Sequence, residues 1–378
     1  MKRGPRGLHA ALRWTYAATF LFGTATGLFL LLPVYLQQVG SSPAQIGFVA
    51  GLLRISSLVA RPVGGRLLDR LGRRPVITVG GGLASLAILS LFVFPQVGWP
   101  FFLMRILQGA GTALFDTGLS AVVADLAPPA SRAQVFAFYS VWVTVPGAIM
   151  PALGEGVARH AGFFPIFMAA ALVIAASVLL VRRLPETVRP LPEKPAPLRG
   201  MLPHALPIMA GCATVGVVFG AVSTFVPVAE IAEAPGRIGL FFFAYFVGLI
   251  GVRIAGAAGL SWVGSPGILL PAYAAMACGL LVLPLGDWLV LLLAVGLACG
   301  AGHGSVIPVL YSVLLFGVPK ERRGMGVALL AASFDLGAIL SSIGLGLLAE
   351  WVGYRWVFPL AAVGVAALAA ASRALARR

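Results

Sequence analysis

Charged side chains are scarce in this sequence. Asp, Glu, Lys and Arg fill 10% of the 378 positions, whereas a soluble domain carries about a quarter. The shortage excludes an ordinary water-soluble globule. Cysteine is scarcer: Cys212, Cys278 and Cys299 all fall inside apolar runs, without metal-type spacing. A disulfide framework and a zinc site are excluded, and all three read as small buried hydrophobes. There is no nucleotide-binding motif, no HExxH, no GxSxG and no second histidine in mid-membrane register, so ATP-driven transport and an intramembrane enzyme lack the groups they need. No cofactor and no metal site is expected.

What fills the chain is hydrophobic residues, 60% of it, with a mean hydropathy of +0.98. Crossing ~30 Å of hydrocarbon takes about 20 apolar residues, and with loops this length allows roughly twelve helices. Apolar runs supply that number, at 14–37, 43–65, 76–95, 98–126, 132–157, 163–181, 205–229, 238–260, 266–285, 288–316, 324–349 and 355–372. The first follows a basic start, as a signal peptide would, but exceeds an h-region and lacks a convincing cleavage site. It is expected to remain as the first span.

The net charge of +15 invites a nucleic-acid reading that its distribution removes. With the N-terminus inside and the spans alternating, twenty of the 27 basic residues collect on one side and only Arg159, Arg237 and Arg355 on the other. By the positive-inside rule both termini lie in the cytoplasm. Arg54, Arg61, Arg105 and Arg253 fall within spans.

Residues 184–204, "LPETVRPLPEKPAPLRGMLPH", are the one long polar, proline-rich stretch, and six spans lie on each side. They read as a cytoplasmic linker between an N-terminal six-helix bundle (1–183) and a C-terminal one (205–378). An offset of 191–192 aligns Arg61 with Arg253, Gly64 with Gly256, Gly72 with Gly264, Gly109 with Gly300, Pro128 with Pro319 and Gly162 with Gly353. Together the matches predict a duplicated six-span unit.

Charge gathers in "GGRLLDRLGRRP", residues 64–75, expected as the loop between the second and third spans. Its Gly65-x-x-x-Asp69-Arg70-x-Gly72-Arg73-Arg74 resembles the signature of the major facilitator superfamily. Arg105-x-x-Gln108-Gly109 in the fourth span resembles a motif of that family's drug-export branches, which also include sugar exporters. The resemblance extends over the chain through the twelve spans, the repeat and the linker. It implies an all-α membrane fold of two pseudo-symmetric six-helix bundles, alternating access about a central site, and a monomer. It also implies that Asp69 faces the start of the eleventh span, near Gly324. On physical grounds Gly64 and Gly65 would let helices approach closely, and the arginines would enforce topology or meet anionic lipid. "VPGAIMPALGEG" in the fifth span matches the family's antiporter motif only in part, with Met150-Pro151 and Gly154-Glu155 in the key places.

A charge at the bilayer centre costs from ~3 kcal/mol upward, so each should face a partner or a water-filled cavity. Arg54, Arg105, Gln108, Asp116, His303 and Asp335 are therefore the candidate substrate or proton groups. The neighbours of Arg105 suit either a polar cavity wall or tight helix packing. Arg54 has two candidate partners, Asp335 and Asp116. Asp116 suits function or a structural hydrogen bond equally. His303 sits among glycines where an imidazole titrates near neutral pH, with Ser305 and Tyr311 on the same side, and Glu155 is expected in interfacial water.

The expectation is a secondary active transporter of the cell membrane, a proton-coupled exporter of a small organic solute or drug. The alternative is an importer or uniporter of a small organic anion or sugar, drawn by Arg54 and Arg105. The expected partners are the solute, protons and membrane lipids, with no nucleic acid.

Overall fold

In hydrocarbon every backbone N–H and C=O must find its partner within the protein, and a helix does this segment by segment. The computed structural model describes residues 5–128, 131–186, 202–229, 234–258, 260, 265–285, 288–316 and 323–376; among these there is no strand. The helices are α1 (Pro5–Leu28), α2 (Leu32–Gln38), α3 (Pro43–Leu71), α4 (Arg73–Leu89), α5 (Trp99–Leu126), α6 (Arg132–Ala161), α7 (Phe164–Val181), α8 (Leu202–Phe225), α9 (Arg237–Ala257), α10 (Leu269–Val282), α11 (Leu289–Phe316), α12 (Arg323–Val352) and α13 (Tyr354–Ala376). Twelve described segments are long and apolar enough to cross a membrane, each overlapping one predicted run. The first joins α1 and α2 through a 3-10 turn at Phe29–Leu31. Pro33 explains the tightening, since it has no N–H for the carbonyl of Phe29 and its ring crowds that oxygen.

Contacts divide the chain into two compact units, residues 1–32 with 52–193, and residues 33–51 with 194–378. Most of the predicted linker, 187–201, lies outside the described residues. Segment 33–51 packs within the second unit because Gly47 of α3 carries no side chain where the Ser342 carbonyl and Gly346 of α12 approach. The Ala44 amide also donates to Glu350.

Each unit repeats one packing plan. In the first, α1 packs on α6 and α7, and α4 on α5 and α7. In the second, α8 packs on α12 and α13, and α10 on α11 and α13. Gly162 and Gly353 end α6 and α12 at φ of 73° and 78°, a conformation that costs glycine nothing. The duplication read from weak sequence matches is thus a duplication of helix pairings.

Three tryptophans stand exposed at one end of the second unit, at the start of α11 (Trp288), the end of α12 (Trp351) and the start of α13 (Trp356). Such placement suits a membrane interface. Cys212 and Cys299 are buried as expected. Cys278 is not: it is exposed on the outer surface of α10, where lipid tolerates a thiol.

Candidate functional site

The charged stretch is hardly a loop. Helix α3 runs on through Gly65, Asp69 and Arg70 to Leu71, only Gly72 breaks it (φ 93°), and α4 begins at Arg73. The side chain of Arg73 folds back into the protein and is 4% exposed. Its Nη1 donates to the Leu68 carbonyl at 2.7 Å and to Asp69 at 3.1 Å, and its Nε to Asp125 of α5 at 3.0 Å. The Arg73 and Arg74 amides both donate to the Glu186 carboxylate, so an acid caps the positive end of α4. Arg74 also donates to the Arg182 carbonyl at 2.6 Å.

These contacts correct the expected surface role of Arg73, while Arg66 and Arg70 are exposed. Gly64 does permit close packing, against Leu114 of α5, but a methyl group at Gly65 would meet nothing within 4 Å. Asp125 and Glu186 were not singled out from sequence. The available signal was that acids are few and these two flank the basic stretch in the topology.

Arg105 lies buried in α5, 5% exposed, with Nη1 donating to Gln108 one turn on. Of the two readings of its surroundings, tight helix packing is the one built. A side chain at Gly109 would strike the Leu53 carbonyl of α3, and the Ser57 hydroxyl donates to the Gly109 carbonyl at 2.9 Å. Arg54, on α3, is close enough for its charge to bear on Arg105. Asp116 is partly buried further along α5, within electrostatic reach of Tyr139, whose hydroxyl pairs with Ser120 at 3.1 Å.

In the second unit, His303 on α11 is ringed by aromatics. Phe219 of α8, Tyr245 of α9 and Phe334 of α12 have ring centroids 5.9, 6.0 and 5.5 Å from the imidazole. The Tyr245 hydroxyl and His303 Nδ1 are 2.7 Å apart. The flanking glycines do not open space around the histidine. Gly300 and Gly304 instead bring α11 against the backbone of α9, at Tyr245 and Leu249. None of the three aromatics stood out in the sequence, since nothing in it reports that α8, α9 and α12 converge on α11.

Asp335 is 4% exposed on α12, with Cys212 of α8 in electrostatic reach. Arg54 belongs to the first unit and Asp335 to the second. Two peripheral expectations are corrected. Glu155 does not reach interfacial water: it is 4% exposed and pairs at 3.0 Å with Arg159, one turn on. The Ser305 hydroxyl, buried, is spent on the Ala301 carbonyl of its own helix.

Comparison with known proteins agrees with this architecture. The chain is 24% identical over 377 residues to the staphylopine export protein of Staphylococcus aureus strain Mu50, covering 93% of each chain. It is 29% identical over 170 residues to the quinolone resistance protein NorA of the same species, covering 44% of this chain and 43% of that one. Among solved structures it resembles the nucleoside transporter NupG (TM-score 0.74, 15% identity, 97% of this chain and 99% of that one). It also resembles a D-xylose-proton symporter (TM-score 0.72, 16% identity, 94% and 96%). The family profile described as Major Facilitator Superfamily matches residues 15–315 and 266–378. This multi-pass membrane protein therefore belongs to the major facilitator superfamily, a family of transporters.

Proposed function

We propose that the chain is a secondary active transporter that exports a small organic solute in exchange for protons, by alternating access of its two units. The observation that carries the reading is the likeness, over 93% of both chains, to a protein named for export. The partial likeness to NorA supports the same direction. Ionisable groups buried in spans support a transport role, because each costs stability that a purely structural helix avoids.

In this reading Asp116, Asp335 and His303 carry the proton, while Arg54, Arg105 and Gln108 tune the first unit's polar interior. Gly65, Asp69, Arg70, Gly72, Arg73 and Arg74 set the conformational balance at the cytoplasmic face. The bias of basic residues puts both termini in the cytoplasm. The protein works as a monomer in the cell membrane, in contact with its lipids.

The test is proton flux in proteoliposomes carrying a pH dye, under an imposed pH gradient, with drugs, sugars, organic acids and metallophores presented in turn. Proton movement triggered by one class is expected. Counterflow of a compound without proton movement would instead make the protein a uniporter and remove the proton roles.

A further inference from the structure

Helices α10 and α13 pack together in the second unit, and a groove of about 450 Å³ runs between them. Its walls are Ala274 and Ala277 of α10 and Ala366, Ala369, Ala370 and Ala374 of α13. Ala274, Ala366, Ala370 and Ala374 are exposed, so on these apolar spans the groove opens toward lipid. An alanine side chain ends at one carbon, which leaves a trough where leucines would have made a ridge. From Leu270 at one end to Ala277 at the other, α10 rises about 10 Å.

Polar groups gather at one end only. Arg373, in the last turn of α13, lines the groove, is exposed and pairs with no acid among the described residues. Tyr273, one turn into α10, also lines it; the residue is 5% exposed, and its hydroxyl has no hydrogen-bond partner among the described residues. In the topology read from the basic residues this end lies at the cytoplasmic leaflet, where anionic headgroups attract basic side chains.

Lipid tails are as apolar as alanine, so filling the trough brings no hydrophobic gain, and selectivity has to come from the charged end. A second copy of the chain suits it poorly, because a two-fold axis along the membrane normal would set both copies of Arg373 at one depth beside the same contact. A polar segment of chain suits it no better, since its backbone groups would go unmet between helices that face hydrocarbon.

We propose that this groove holds one anionic phospholipid, with its phosphate on Arg373 and one acyl chain lying along the alanines. The inference goes beyond the transport reading and takes from it only the topology that sets the leaflet.

The experiment uses the full chain in nanodiscs of phosphatidylcholine. Each carries a trace of phosphatidylglycerol or of phosphatidylcholine with a diazirine on the first carbons of one acyl chain. After photolysis, labelled peptides are quantified by mass spectrometry. Peptides covering 270–277 and 366–374 should take about fivefold more phosphatidylglycerol, the scale of one arginine at an anionic surface. Arg373→Gln should bring the two lipids level there. Ala366→Phe fills the inner end of the groove and should cut labelling by both. Arg66→Gln, which removes an exposed arginine of α3, should change neither.

Ala366 and Arg373 are both exposed, so melting curves of their variants should match the wild type, and the wild-type comparison of the two lipids stands without them. Equal labelling of the wild type by the two lipids, or a preference that survives Arg373→Gln, overturns the site. So does unchanged labelling in Ala366→Phe, which would leave only diffuse attraction to a basic surface. An unlabelled groove in particles that hold two chains would give the face to a second copy instead.

Failure of the transport reading looks different, because nanodiscs present the same lipids on both sides and need no gradient. A selective groove in a protein that moves no compound would sink the transporter and keep the lipid site. Proton-coupled flux with no lipid preference would do the reverse.

Discussion

Arg73 Nε lies 3.0 Å from Asp125 Oδ2, tying the first residue of α4 to the last turn of α5. The same guanidinium reaches the Leu68 carbonyl and Asp69, so one side chain joins three helix ends. A planar fork with several fixed donors can do this, and an ammonium cannot.

Removing Arg73 should therefore cost more than removing an exposed arginine of the same stretch. Arg73→Ala breaks the ion pair with Asp125, whose side chain is 7% exposed, at a cost of about 3 kcal/mol. Scanning fluorimetry in detergent should show the melting temperature falling furthest for Arg73→Ala, less for Arg73→Lys, and not measurably for Arg70→Ala. Equal values for Arg73→Ala and Arg70→Ala would refute the assignment.

Glu186 should hold the first turn of α4 closed. Its replacement by Ala frees the Arg73 and Arg74 amides. Their hydrogen exchange should speed up about fivefold, as for the loss of a helix cap. Glu186→Gln keeps an acceptor and should fall between. Unchanged exchange at both amides would show that the carboxylate contributes nothing there.

Two glycines should behave oppositely. A methyl at Gly300 lands on the Tyr245 backbone carbonyl, which cannot move without parting α11 from α9, whereas a methyl at Gly65 meets open space. Gly300→Ala should cut the yield of folded protein severely. Gly65→Ala should leave stability level or raise it by up to about 1 kcal/mol, the usual helical gain over glycine. Size-exclusion profiles and melting curves of the two variants decide it.

The Glu155–Arg159 pair predicts an asymmetry. The acid is buried and the base is 37% exposed, so Arg159→Ala takes a cation away from a buried carboxylate while Glu155→Leu removes the buried charge itself. Arg159→Ala should be the more destabilising of the two in thermal melts. The opposite order would mean that the carboxylate finds other support.

Much of this was legible along the chain. Twelve spans follow from run length, because hydrocarbon thickness sets a minimum that few soluble segments meet. The charged stretch and the Arg105–Gln108 pair are local in sequence, so their spacing alone brings them together. Illegible were contacts that depend on which helix lies next to which. Asp125 reaches Arg73 from 52 residues away, and Tyr245 reaches His303 from 58. The glycines around His303 suggested an open site, yet they serve the α9–α11 contact, since an absent side chain reads alike beside a cavity and beside a neighbouring backbone.

The sequence by itself determined the membrane class, the twelve spans and the duplication, because the bilayer imposes one length and one demand for internal hydrogen bonding on every segment. Only the tertiary structure decided which ionisable groups are buried against partners and which rings surround His303. Side-chain partnership across helices follows from packing and rotation, which hydropathy does not encode.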